Sequence, residues 1–321
     1  MEKKKRIEVV IPCYNEEECI PLIYQSIHEV AKKLSGYQVS ILYVDDGSRD
    51  SSFTKIKEVS EHADENEVHY ISFARNFGKE AAIYAGLKNS TADYIALMDA
   101  DLQHPPELLL EMVKGIEEGY ECCGARRVNR NGEPPIRSAF SRLFYSMASK
   151  MTSTKMEQGT TDYRLMSRKF VDAVLAIGEK NRFTKGIFAW VGFETKWIEY
   201  ENVERAAGNT KWSFSGLLRY AVNGFMSFAT APLRGAIYLG FIVMIVALVY
   251  GIYIALNMLI LGGVKSGYSS IMFAILFIGS IIILLLGIIG EYLARIYMEV
   301  KNRPIYIAKD ERLDENTELK D

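Results

Sequence analysis

The sequence predicts a doubly wound α/β domain with mostly parallel strands, followed by a membrane-associated helical hairpin. Three observations predict it. Short apolar runs alternate with helix-period segments through residues 7–117. Polar clusters stand directly after three of those runs. Two long uncharged stretches occupy residues 235–289.

In chain order, Ile7–Pro12 reads as a strand, and Ile20, Ile23, Ile27, Val30 and Leu34 recur at helical spacing. Ile41–Val44 is a second strand, and Asp50–Glu61 a helix carrying Phe53, Ile56 and Val59 on one side. Val68–Phe73 and Lys79–Lys88 form the third pair. Tyr94–Met98 is apolar throughout, as a strand covered on both faces should be. Pro105 and Pro106 open a helix bearing Leu108, Leu109, Met112 and Ile116. Residues 126–158 are polar and hold Gly132, Pro134 and Pro135; they read as a binding flap or a solvated loop.

Gly235–Val264 carries no charge between Arg234 and Lys265, and Ile271–Ile289 carries none before Glu291. At about 1.5 Å per residue the shorter stretch covers roughly 28 Å, near the hydrocarbon thickness. Two transmembrane helices are expected, at about 235–261 and 271–290. Lys211, Arg219 and Arg234 precede them, and Arg295, Lys301 and Arg303 follow. The positive-inside rule then puts the domain of residues 1–210 and both termini in the cytosol; the hairpin is expected in the plasma (inner) membrane. Residues 211–232 place Phe214, Leu217, Leu218, Ala221, Phe225 and Phe228 at helical spacing. They fit an interfacial helix on the bilayer, or an amphipathic helix packed on the soluble domain. The hairpin occupies 233–300, and 301–321, of mixed charge, is expected to be a solvated tail.

A net charge of −2 excludes a nucleic-acid binder that works by bulk electrostatics. Cys13, Cys19, Cys122 and Cys123 lack disulfide or metal spacing and read as buried thiols in a reducing compartment. No long apolar run precedes Asn15, so a cleaved secretory signal is not expected.

In a doubly wound sheet ligands collect beyond the carboxyl ends of the strands. Pro12 to Glu17, Asp45 to Ser48, and Asp99 to Gln103 all fall there. Asp99 and Asp101 flank one residue, and carboxylates so close repel unless a cation sits beside them. Hard oxygen ligands suit Mg²⁺ or Mn²⁺, which neutralise a departing diphosphate. Asp46 and Glu16 can accept from ribose or base; Asp45, Asp46 and Ser48 can equally cap the next helix. Tyr14 can stack on a base or simply pack.

The segments IPCYNEE, DDGSRD, RNFGKEAA, DADLQHPPE, DYRLMSR and ERAAGNTKWSF, in that order, resemble the GT-A-fold glycosyltransferase family 2. Within it they are most similar to bacterial polyisoprenyl-phosphate (undecaprenyl, or bactoprenol) glycosyltransferases, relatives of the dolichyl-phosphate mannose synthases. The resemblance covers roughly residues 6–303. It implies that Pro12, Tyr14, Glu16, Val44 and Asp46 line a nucleotide site. It also implies that Asp99, Asp101 and Gln103 hold the metal and diphosphate, with the Ala100 backbone against the donor. Arg126, Arg205 and Lys211 match basic positions that grip donor or acceptor phosphates, as guanidinium and ammonium groups do. For Arg205 and Lys211 the alternative is attraction to the membrane surface.

The implied reaction is inverting transfer of one sugar from a nucleotide-sugar, UDP by resemblance, to polyisoprenyl phosphate, for cell-envelope glycan modification. Its catalytic group would comprise Asp101, Arg205 and Asp162, the last standing where relatives keep a proposed base. A phosphate monoester with a second pKa near about 6 scarcely needs a base, so Asp162 can instead orient Arg164 or the sugar. The Gln-x-x-Arg-Trp element of processive synthases is absent, which favours single addition. A nucleotidyltransferase would need a glycine-rich basic loop where Tyr14 to Glu18 is acidic, and a non-catalytic scaffold would not need the polar set. Homo-oligomerisation is compatible with the sequence; the sugar is unspecified.

Overall fold

The computed structural model describes residues 4–63, 67–128, 159–180, 182–201, 231–261 and 267–314. The chain divides into two compact units: Met1–Ser227 with Pro304–Asp321, and Phe228–Arg303.

In the first unit β1 (Lys5–Cys13), β2 (Tyr37–Asp45), β3 (Val68–Phe73) and β4 (Tyr94–Leu97) alternate with α1 (Cys19–Lys33), α2 (Ser52–His62) and α3 (Lys79–Asn89). Helix α4 (Leu108–Glu117) follows, then β5 (Cys122–Arg127), β6 (Thr160–Ser167), α5 (Arg168–Ala176), α6 (Thr184–Trp190) and β7 (Thr195–Tyr200). A last strand, β8 (Ala308–Arg312), completes one eight-stranded sheet ordered β7-β5-β6-β4-β1-β2-β3-β8. Strands β4, β1, β2 and β3 run parallel, as do β5 and β7, whereas β6 and β8 run antiparallel to their neighbours.

Strand β1 is central, and every residue from Ile7 to Cys13 is buried. Ile7, Val9 and Ile11 join Ile20, Ile23 and Ile27 of α1 and Met112 of α4 in the main core. On the other face α3 lies so close that a Cβ on Gly86 would fall 2.2 Å from Val10 Cγ1. Covered on both faces, β1 is apolar from Ile7 to Cys13 except at Glu8, whose buried carboxylate lies 3.0 Å from His69 Nδ1. The chain leaves β1 towards β2 and β3, then crosses to β4 on the other side. The switch point between β1 and β4 is where such sheets open a ligand crevice.

All four cysteines are free and buried, as expected. The final segment departs from expectation. Residues 308–312 are not a solvated tail: β8 pairs with β3 through Tyr70–Arg312 and Ser72–Asp310 register. Lys57 Nζ bonds Asp310 at 2.5 Å, Arg6 pairs with Asp314, and Tyr306 stacks on Phe73 with centroids 4.9 Å apart. The sequence Ala308-Lys-Asp-Glu-Arg312 lacks an apolar face because an edge strand needs none, and its charges discourage further pairing. Likewise, residues 126–127 of the expected loop belong to β5.

The second unit comprises α7 (Ala231–Leu261) and α8 (Tyr268–Val300), which touch each other. Helix α8 continues ten residues past its expected end at 290, because Glu291 to Val300 has no helix breaker and Arg295 pairs with Glu291 at 3.0 Å. Among the described residues one helical segment, Phe277–Val300, is long and apolar enough to cross a membrane; the apolar stretch Tyr238–Tyr250 is shorter. The expected interfacial helix falls, up to residue 230, outside the described residues.

Candidate active site

The loops after β1 and β2 are knitted together. Asn15, at φ +53°, donates its N–H to Ser48 Oγ (2.9 Å) and accepts from Arg49 N (2.8 Å). Glu16 N–H bonds Ser52 Oγ at 2.7 Å, and Glu17 accepts from Ser51 N at 2.8 Å. Pro12 and Val44 stand in register on adjacent strands, both buried, while Tyr14 and Glu16 are half-buried beyond them. Asp45 accepts from Ser48 N (3.0 Å) and Ser72 Oγ (2.8 Å).

Asp46 does not cap the next helix; it holds the residues that lead into α3. Its carboxylate accepts from Phe77 N at 2.6 Å and Gly78 N at 2.9 Å, fixing the entry to α3. Burial raises its pKa, and these two donors only partly offset the rise. The neighbouring Gly47, at φ +68°, lets the two loops meet: a Cβ there would sit 2.5 Å from the Arg75 carbonyl carbon.

At the mouth of β4, Asp99 is half-buried and Ala100 buried. Leu102 adopts φ +54°, a left-handed conformation that costs an L-residue about 1–2 kcal/mol. The turn lets Asp101 Oδ1 accept from Gln103 N at 3.1 Å. Strain of this kind collects at functional sites.

Lys79, the first residue of α3, bridges two of the acidic residues. Its Nζ lies 2.6 Å from Asp99 Oδ1 and 2.7 Å from Asp162 Oδ2, on β6. Lys185, on α6, stands 3.6 Å from the other Asp162 oxygen. Glu80 places α6 by accepting from Thr184 N at 2.9 Å and from its hydroxyl. Enclosure alone would lower the Lys79 pKa; Asp162 and Asp99 more than reverse this and hold it well above the usual range. Burial alone would raise the Asp162 pKa, but Lys185, Lys79 and Arg164 hold it far below the usual carboxylate range.

The second Asp99 oxygen faces His104 Nε2 at 4.0 Å. His104 is buried, stacks on Tyr163 and shares a 2.6 Å hydrogen bond with the Tyr200 hydroxyl. Its pKa is lowered by burial, which the charge of Asp99 only partly opposes. Arg126 sits on β5 at an irregularity opposite Thr160. Arg164 donates to the Thr161 carbonyl (3.0 Å) and lies over the Phe188 ring, so its closest bonds are not to the Asp162 carboxylate. Arg205 and Lys211 lie outside the described residues.

The strand-end loops of β1, β2 and β4 thus share one edge of the sheet, with Asp162 joined to Asp99 through Lys79. Lys79, Glu80, Lys185, His104 and Tyr200 were not singled out by the sequence. Lys79 and Glu80 had one signal, their place in RNFGKEAA, and His104 its place in DADLQHPPE.

Among the described residues no three His, Cys, Asp or Glu side chains gather into a complete metal cage. Two aspartates and a glutamine nonetheless suit Mg²⁺ or Mn²⁺ taken up with phosphate, since such ions complete their shell with phosphate oxygens and water. That Asp99 already attracts an ammonium is consistent with this donor set.

A doubly wound sheet with acidic strand ends at its switch point has the layout of a GT-A transferase domain. The sequence profile of "Glycosyl transferase family 2" matches residues 8–175, and that of "GtrB C-terminal hairpin" matches 231–296. The chain belongs to glycosyl transferase family 2. It is 43% identical to "Putative glycosyltransferase CsbB" of Bacillus subtilis, over 99% of this chain and 97% of that protein. It is 38% identical to "Prophage bactoprenol glucosyl transferase homolog" of Escherichia coli, over 95% and 98%. Among solved structures, a mannosyltransferase from Pyrobaculum calidifontis in complex with GDP-Man and Mn²⁺ is 15% identical, with a TM-score of 0.46, covering 89% of this chain and 88% of that one.

Proposed function

We propose that this enzyme transfers one sugar, with inversion, from a nucleotide-sugar to a polyisoprenyl phosphate at the cytosolic face of the plasma membrane. The observation that carries the reading is a union in one chain. A family 2 catalytic sheet is joined to a helical segment, Phe277–Val300, long and apolar enough to cross a bilayer. A glycosyltransferase gains from such a segment when its acceptor is held in the membrane. Relatives carry the name bactoprenol glucosyl transferase, and the match to a C-terminal hairpin favours α7 and α8 as a pair of spans.

In this reading Pro12, Tyr14, Glu16, Val44 and Asp46 hold the nucleoside, and Asp99, Asp101 and Gln103 hold Mg²⁺ or Mn²⁺ with the diphosphate. The ion supplies charge neutralisation for the departing diphosphate. Arg126, Arg205 and Lys211 bind phosphate. An acceptor phosphate oxygen forms the new bond to the anomeric carbon. The bond from that carbon to the donor diphosphate breaks on the opposite side, and its electron pair leaves with the nucleoside diphosphate. Asp162, clasped by Lys79 and Lys185, is a poor proton acceptor and acts by ordering these ammonium groups. Catalysis is positioning and electrostatics.

The test incubates membranes containing the protein with a panel of UDP- and GDP-sugars and undecaprenyl phosphate, followed by mass spectrometry of the lipid fraction. One donor should yield a lipid-phosphate sugar. A lipid fraction that gains no sugar from any donor would overturn the reading.

A further inference from the structure

We propose that Lys79 is a built-in counter-ion for the metal site: it holds Asp99 and Asp162 together while the divalent ion is absent, and gives up Asp99 when the ion arrives. The inference rests on the reading of Asp99 as a metal ligand.

The placement of Lys79 is costly by ordinary rules. It is the first residue of an eleven-residue helix, where the helix dipole presents positive charge and disfavours a cation. Two carboxylates offset that cost, at 2.6 and 2.7 Å. Its backbone is not adventitious either. Asp46 grips the N–H groups of Phe77 and Gly78 just before it, so the base of the side chain is fixed from the nucleotide side of the crevice. Beyond that base lie four flexible carbons, and the side chain is 43% exposed, with room to swing.

The two carboxylates differ in what remains when Lys79 leaves. Asp162 keeps a second ammonium, that of Lys185 at 3.6 Å, anchored by the Glu80–Thr184 bonds. Among the described residues Asp99 has one other basic neighbour, His104 at 4.0 Å, buried and sharing a hydrogen bond with Tyr200. Asp99 is therefore the one that loses its counter-charge and takes up the incoming ion. Asp162 stays neutralised and keeps Lys79 within the site. A lysine point charge can make such a move because it holds its partners without the fixed fork of an arginine. Competition from Lys79 lowers affinity for the free ion, so the ion binds together with the diphosphate that completes its shell.

The test uses the full-length protein in detergent or nanodiscs, with Mn²⁺ alone as the probe and electron paramagnetic resonance as the readout. Lys79→Met should bind Mn²⁺ at least about tenfold more tightly than wild type, since a positive charge a few ångströms from a dication is removed. Lys79→Arg, which keeps the charge, should stay within about threefold of wild type. Circular dichroism checks folding of both variants. Wild-type protein gives a measurement that needs no variant: reductive methylation of Lys79, referred to the exposed Lys88, should rise at least about threefold when Mn²⁺ replaces EDTA. Equal Mn²⁺ affinity in folded Lys79→Met, or unchanged Lys79 methylation, would overturn the inference while leaving the metal reading intact. If no protein binds Mn²⁺ at millimolar concentration, with or without UDP, both fall. If Mn²⁺ behaves as expected but no lipid product forms, the acceptor reading alone fails.

Discussion

Asp162→Asn separates a positioning carboxylate from a general base, and the structure sets the size of the effect. The wild-type side chain, 12% exposed, accepts from Lys79 on one oxygen and lies beside Lys185 on the other. Asparagine offers one carbonyl oxygen and turns an NH₂ towards the second lysine, donor against donor. Breaking one arm of a buried pair costs about 3–5 kcal/mol. Here Lys79 is 43% and Lys185 27% exposed, so solvent trims the loss to about 2 kcal/mol. A denaturant or thermal melt reads that number.

The kinetic consequence follows from the same geometry. If Asp162 only orders the two ammonium groups, initial rates of sugar transfer to undecaprenyl phosphate should fall by less than about a hundredfold. The pH profile should keep its shape, with an acid limb near about pH 6 set by the second ionisation of the acceptor phosphate. Loss of a general base would cost up to about ten-thousandfold, and hydroxide would take its place. A variant whose rate is lowered about a thousandfold or more and climbs log-linearly with pH would refute the positioning role.

Further outcomes are expected. Chelation should abolish transfer, Mn²⁺ or Mg²⁺ should restore it, and Asp101→Ala should not be rescued by either; a rescued variant would count against ligation by Asp101. Gly47→Ala forces a Cβ to within 2.5 Å of the Arg75 backbone at a left-handed φ, so stability should drop by about 2–4 kcal/mol and donor KM should rise. Unchanged KM would detach this loop from the nucleotide. The folded-state pKa of His104 lies below its unfolded value of about 6.5, so its neutral form stabilises the fold above that pH, and the contribution is lost as pH falls through the folded-state value. In EDTA, denaturant midpoints at pH 7.5 and 5.5 should differ less for His104→Gln than for wild type. Tyr306→Ala removes the stack on Phe73 and a 2.8 Å bond from Asn89, and should cost about 2 kcal/mol by the same melt.

Much of the sheet was legible because its central strands carry their environment in their composition. Val68–Phe73 matches its expected bounds, and α3 matches to within a residue, since apolar runs and helical periods are local signals. Strand β8 was not legible, because a charged edge strand leaves no periodic imprint and its partner β3 lies more than two hundred residues away. Strands β6 and β7 fell outside the reading for a related reason: their pairings with β4 and β5 cross long intervals of chain. The acidic strand ends were visible as a pattern. Their cations were not, for an ammonium that reaches a carboxylate 20 or 83 residues away marks neither position in the sequence.

The segment RNFGKEAA shows why a motif can be recognised before its chemistry can be assigned. Read along the chain it is an unremarkable helix start, with a cation where the dipole disfavours one. Folded, consecutive residues face different partners: Phe77 and Gly78 bind Asp46, Lys79 binds Asp99 and Asp162, and Glu80 holds the start of α6. The start of α3 thereby ties the loop after β2 to both carboxylates and to Lys185. A displacement at Asp46 must move the base of Lys79, and a displacement of Lys79 must alter the charge balance at Asp99. In the proposed reading, donor occupancy and metal occupancy would be coupled through these four residues. Substitutions at Asp46 should change Mn²⁺ affinity even though Asp46 is not expected to touch the ion.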